Sequence, residues 1–317
     1  MAGWLSKWFG GQRRETQEVS GRRTHGLAHG LAAPPVAVPA SAAATTSEQA
    51  AARPPLLLCW LFDAPEPEPD LSDGERAALD AVDRVLARPG LPVDLLPRAT
   101  SVVPQLLALL RHDDLHVDAL ADRIRHDRAL AAEVLKQASS SFFSAGTPPA
   151  DLAQAIHRLG VEGLQMAIAR VVLRPLYQSQ PGSITSMAGP RLWAHSDQLA
   201  QHTAQAAPAL GVSRFDAYVS GLLHDIGLTV LLHALQRAGL STLGRFSHEG
   251  AQALEHRAHT LFGRAAEAWP ISPAFTALAA DARAVSLEDS RLPLAVALRE
   301  AKPACLLDLA GSGPGQR

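Results

Sequence analysis

The chain has 317 residues, 47% hydrophobic and 19% charged, which suits a globular body with one large core or two small ones. A formal net charge of −2 removes the basic field on which general nucleic-acid binding depends, so no nucleic-acid partner is expected. Two cysteines, Cys59 and Cys305, form no CxxC pair, which excludes a disulfide framework or zinc ribbon and implies a reducing, cytoplasmic setting.

Within residues 1–10, Trp4 and Trp8 share one helical face, with Leu5 and Phe9 beside them and Arg13 and Arg14 following. Such a piece can touch a membrane surface or a partner, but the plain reading of a loose terminus carries more weight. No apolar run of signal-peptide type is present. Residues 11–55 are rich in Gly, Ala, Pro, Ser and Thr and read as a disordered linker. The apolar run Leu56–Phe62 is too short to span a bilayer and ends at alternating Pro65, Pro67 and Pro69. It is expected to pack on the main body as a short clasp. Residues 1–70 are thus a Pro- and Ala-rich arm, residues 72–300 the folded domain, and residues 301–317 a loose tail.

Ordered helix starts at Ser72, which has capping-box spacing to Glu75, and stops at Pro89-Gly90. Its apolar stripe is Leu79, Val82 and Leu86. Helical spacing recurs in Val103/Leu106/Leu107/Leu110, Val117/Leu120/Ala121/Ile124, and Leu130/Val134/Leu135. It continues through Leu152/Ile156/Leu159, ending at Gly160, and Val161/Leu164/Ile168/Val171. A helix over about Pro190–Leu210 places His195, Leu199 and His202 on one face. Ser213 and Asp216 open the next, which carries His224 and Asp225 and closes near Gly239. Shorter helices follow, and Leu292–Leu298 is a last weak one. No sustained strand alternation exists, so the fold class is all-α: a compact multi-helix bundle with two lobes, divided near Tyr177.

Gly221-Leu222-Leu223-His224-Asp225-Ile226-Gly227 holds the chemistry. A His and an Asp side by side in an apolar helix are costly to bury without partners. Small Ser220 and Gly221 just before them permit close approach of another helix. Ser139-Ser140-Ser141 lacks the glycines of a nucleophile elbow, and no phosphate-binding Gly-rich loop is present. His248, His256 and His259 together could suggest a metal, but lone His residues in Ala-rich helices read as surface residues.

Several motifs in order resemble the HDOD family, the HD-related output domain of bacterial signalling proteins. They are Leu95-Leu96-Pro97, Val103-Pro104-Gln105-Leu106-Leu107, Leu120 to Leu130 with Arg128 where Pro is usual, Ala155-Ile156-His157-Arg158-Leu159-Gly160, Trp193-Ala194-His195-Ser196, Tyr218 to Gly227, and His259 to Gly263 followed by Trp269-Pro270. The resemblance covers about residues 91–282. It implies an HD cluster of His195, His224, Asp225 and His259. Catalytic HD relatives add a downstream His pair, where this chain has Ala280-Asp281-Ala282, and a Lys after the HD motif, where it has Leu228. The cluster is therefore expected to be vestigial, with no catalytic residue, metal or other cofactor. The expected function is a non-catalytic bacterial signalling module that acts on a protein partner. The alternative is a metal-dependent phosphohydrolase or phosphodiesterase using His195, His224 and Asp225, with Asp281 completing the set.

Overall fold

The structure is a computed structural model that describes residues 55–64, 67–95, 121–122, 124–140, 147–178, 183–240 and 245–311. The readings made on residues 1–54 and 96–120 lie outside the described residues. Ten α-helices have both ends among the described residues, a further helical stretch lies at 121–122 and 124–125, and no strand ladder is present among the described residues. The class is all-α.

The helices are α1 (Leu57–Phe62), α2 (Asp73–Leu86), α3 (Arg128–Ala138), α4 (Leu152–Leu173), α5 (Ile184–Ala206), α6 (Arg214–His224), α7 (Ile226–Arg237), α8 (His248–Ala266), α9 (Pro273–Asp281) and α10 (Pro293–Gly311). Their starts follow local chemistry. Hydroxyl or carboxylate side chains of Ser72, Asp127, Asp151, Ser183, Ser213, Ser247 and Ser272 each accept a backbone N–H of the first turn. Ser72 and Glu75 complete a reciprocal capping box. The helical segments expected on either side of Gly160 are fused into α4, with Gly160 at φ +61 as the kink between them. Ser139 and Ser140 donate back to the carbonyls of Leu135 and Gln137, so they finish α3 rather than present a nucleophile.

The core lies around α6 and α7. Leu222, Leu223, Ile226, Val230, Leu231 and Leu235 are fully enclosed. Arg214–Arg237 is long and apolar enough to cross a membrane, but nearly all of it is buried inside the protein, as befits a core helix. α5 and α10 cover α6 on one side, and α8 covers α7 on another. α3 packs on α4, and α4 reaches α6.

The lobe division near Tyr177 needs one revision. α1 packs on α5 and α8, and α2 on α7 and α8, so these early helices belong with the HD-bearing half. Glu75 is why. Its Oε1 accepts from the backbone N–H of Ser247 at 2.6 Å and from the Ser247 hydroxyl at 3.0 Å, while Oε2 serves Ser72. One buried carboxylate thus ties the first turns of α2 and α8 together. A second difference lies at the other end: α10 runs to Gly311 despite an internal Pro303, so the expected boundary at residue 300 falls inside a helix.

Candidate functional site: a histidine–aspartate cluster in the core

α5, α6 and α8 supply the four side chains anticipated from the sequence. Close packing makes this possible. A Cβ on Gly221 would strike the Ala200 backbone of α5, and one on Gly227 would strike the Ala258 carbonyl of α8. Only glycine lets the helix backbones meet there. His195, His224, Asp225 and His259 are all buried, none more than 6% exposed.

The structure brings the four into two pairs. His195 Nδ1 lies 2.6 Å from Asp225 Oδ2, which also accepts from the Ser196 hydroxyl at 2.8 Å. His224 Nε2 faces His259 Nδ1 at 3.3 Å. His224 Nδ1 is 3.5 Å from Asp225 Oδ1, too long for a good hydrogen bond. The helix path reflects the first pair: the continuous helix expected from Ser213 to Gly239 is broken at Asp225 (φ −77, ψ 1). Tyr177 donates to the Leu222 carbonyl just before that break.

Electrostatics separates the pairs. Burial would lower the His195 pKa, but the adjoining Asp225 carboxylate overrides it and lifts the imidazole to about 10. Asp225 is pushed the opposite way: burial would raise it, and the His195 charge and hydrogen bond hold it far below the usual carboxylate range. They form a buried ion pair. Burial, reinforced by the Lys302 charge, lowers His224 to about 4, and burial with the His224 and Lys302 charges holds His259 well below normal. Both stay neutral at physiological pH.

Three more groups belong to this neighbourhood. Glu255 lies one turn before His259 on α8. Burial raises its pKa, while the Lys302 and His195 charges pull it back. Lys302 comes from α10, whose Cys305 Sγ sits 3.6 Å from the His195 carbonyl. Trp60 comes from α1, its ring centroid 6.4 Å from that of His195. The i, i+4 spacing of Glu255 and His259 was a usable signal in the sequence. Lys302, one of three lysines in the chain, sits beyond Leu298, where the last helix was expected to fade, and had no such signal.

Four buried polar atoms of the cluster lack a nitrogen or oxygen partner: His195 Nε2, His224 Nδ1, Asp225 Oδ1 and His259 Nε2. Orphans at this density call for a water or another small polar group. The metal that the HD resemblance brings to mind fits poorly. Asp225 and His195 neutralise one another, and the Lys302 cation already acts on the same rings. Among the described residues no three His, Cys, Asp or Glu side chains converge with metal-binding spacing. Asp281, the candidate to complete a set, accepts from Ser290 at the end of α9 instead. Of the three α8 histidines read as surface residues, His248 and His256 lie exposed, whereas His259 is buried, because it sits on the face turned to α6.

A helical body with a His–Asp pair at the foot of a core helix defines an HD-like domain. The chain belongs to the HDOD domain family, whose signature matches residues 96–276. Its fold is similar to that of a Shewanella amazonensis SB2B protein, provisionally named a metal-dependent phosphohydrolase, at TM-score 0.52 and 18% identity over 77% of this chain and 86% of that one. An HDOD domain protein of unknown function from Geobacter sulfurreducens is 23% identical over 77% of this chain and 95% of its own, with TM-score 0.40. An uncharacterized protein of Treponema pallidum (strain Nichols) is 26% identical over 144 residues, 45% of this chain. The match spans 27% of that relative's length.

Proposed function

We propose that this protein is a non-catalytic regulatory module of bacterial signal transduction that works through protein–protein contacts, its HD cluster serving structure. The observation that carries the reading is the His195–Asp225 ion pair. In a hydrolytic HD centre both side chains would turn their polar atoms to a metal, and here one nitrogen of His195 and one oxygen of Asp225 are taken up by each other at 2.6 Å. The missing downstream His pair and Leu228 in the position of the catalytic lysine agree with it.

One observation supports the enzyme alternative. His224 and His259 are neutral, face each other, and retain unpartnered ring nitrogens beside an unpartnered Asp225 oxygen. A phosphohydrolase would draw its ligands from His224 and Asp225 and from the unpartnered Nε2 of His195. The test is metal analysis of protein purified without chelator, together with hydrolysis of bis(p-nitrophenyl) phosphate in added Mn, Fe or Zn. The expected result is no stoichiometric metal and no turnover sensitive to His224→Ala. Stoichiometric metal that is lost in His224→Ala, with activity lost alongside it, would replace this reading by the enzyme.

A further inference from the structure

The segment Leu56–Ala64 lies outside the HDOD match, yet it lies against the cluster. Leu57, Leu58, Cys59 and Leu61 bury their side chains. The Leu57 backbone N–H meets the Glu255 carboxylate, and the Trp60 ring stands beside His195. Arg191 of α5 clamps the segment from outside. Its guanidinium donates to the Trp60 carbonyl at 2.5 Å, lies over the Trp60 ring at 5.7 Å, and pairs with Asp63 at 3.3 Å. Asp63, at φ +54, then turns the chain away.

A six-residue helix has almost no stability of its own. Its order comes from apolar burial and from the Arg191 clamp, whose side chain is 30% exposed and whose partner Asp63 is 87% exposed. Such a segment belongs to the low end of local stability, while α6 and α7 belong to the high end. Behind it lie buried polar atoms without partners. Glu255 and His195 touch the segment directly, and His259 is one turn from Glu255.

We propose that Leu56–Ala64 is a removable plug: it closes the Glu255/His195 side of the cluster and detaches as a unit while the helical body stays folded. Detachment admits solvent or a small polar solute to the cluster. This holds whether the cluster proves structural or catalytic.

The plug carries its own probe, Cys59, and the body carries a matching one, Cys305; both are free and buried. Native full-length protein is treated with N-ethylmaleimide, and each cysteine is followed by mass spectrometry. Cys59 is expected to react at least ~100-fold faster than Cys305, through local rather than global opening. Equal rates, both tracking global unfolding, would overturn the proposal. Closure of the cluster is then read with diethyl pyrocarbonate, which attacks neutral histidines, using exposed His248 and His256 as internal standards. His259 is expected to be unreactive in the wild type and reactive in Trp60→Ala. Arg191→Ala loosens the clamp without touching the apolar face and serves if Trp60→Ala does not fold. A variant whose Cys59 reacts freely while His259 stays as unreactive as in the wild type would equally overturn it.

Discussion

His195 and Asp197 stand two residues apart on α5, and each anchors a buried cluster of charge. The two clusters obey different rules. Around Asp197 the bonding is nearly complete. Arg170 of α4 donates to both Asp197 oxygens, one of them at 2.6 Å, and to Glu133 of α3, and its guanidinium lies 5.7 Å from the Trp193 ring. Next to it Gln137 donates to the Tyr218 hydroxyl at 3.0 Å, leaving only Gln137 Oε1 without a partner. Around His195 four atoms are left over. A saturated network reads as a brace that joins α3, α4, α5 and α6. An unsaturated one, kept fully buried, reads as a place with room in its bonding for a water.

The largest effects should come from breaking either ion pair. Asp225→Ala leaves His195 buried without its charge partner and its hydrogen bond, and Arg170→Met leaves Asp197 and Glu133 facing each other. Each should cost about 3–5 kcal/mol in urea unfolding. The comparison sharpens in the double variants. Arg170→Met with Asp197→Leu should recover part of the loss, whereas adding His224→Leu to Asp225→Ala should recover little, because the His224–Asp225 contact, at 3.5 Å, is longer and weaker than the His195–Asp225 bond.

Acid should separate the clusters next. His224 is held near 4 when folded against an ordinary 6.5, so the unfolded chain takes up its proton first. Stability is intact above 6.5 and lost as pH falls toward 4, by about 2–3 kcal/mol for this one group. His195 works in the other direction: its raised pKa adds stability that is complete below 6.5 and fades as pH rises toward about 10. Thermal melts from pH 4 to 9 should therefore fall at both ends, and His224→Leu should shrink the acid limb without abolishing it, because His259 is held down as well.

The smallest effect should be at His259. Its one contact within the cluster is the 3.3 Å approach to His224, and burial already keeps it neutral. His259→Leu should change the unfolding free energy by less than about 1 kcal/mol in either direction. A loss of 3 kcal/mol or more would mean that His259 has a partner beyond the protein atoms, such as an ordered water.

Much of this was legible in the sequence, and the gaps have physical causes. Helices with a 3.6-residue apolar rhythm and a capping serine, such as α2 and α6, announce themselves locally. So did His224 and Asp225, because a polar pair in an apolar helix is conspicuous, whereas His195 and His259 were marked only by their place in the family motifs. The pairing was not legible. That Asp225 bonds His195 rather than its neighbour His224 depends on how α5 crosses α6. α10 was cut short because Pro303 and an Ala-Leu run weaken its periodicity, and Lys302 was lost with it. On α2 the apolar stripe was read as Leu79, Val82 and Leu86, yet the residues turned inward are Glu75, Ala78, Ala81 and Val82. The buried Glu75 could not be inferred, because its second partner is 172 residues away.

That carboxylate also bears on where this protein may be cut. The HDOD match starts at residue 96, and a fragment begun there would keep the whole of that match. It would also discard Glu75, strip the Ser247 amide of its acceptor, and open the groove in which α2 lies against α7 and α8. The smallest autonomous piece is therefore expected to begin upstream of the recognisable one. A shortened chain that aggregates or melts early would report a missing splint, not a defective domain.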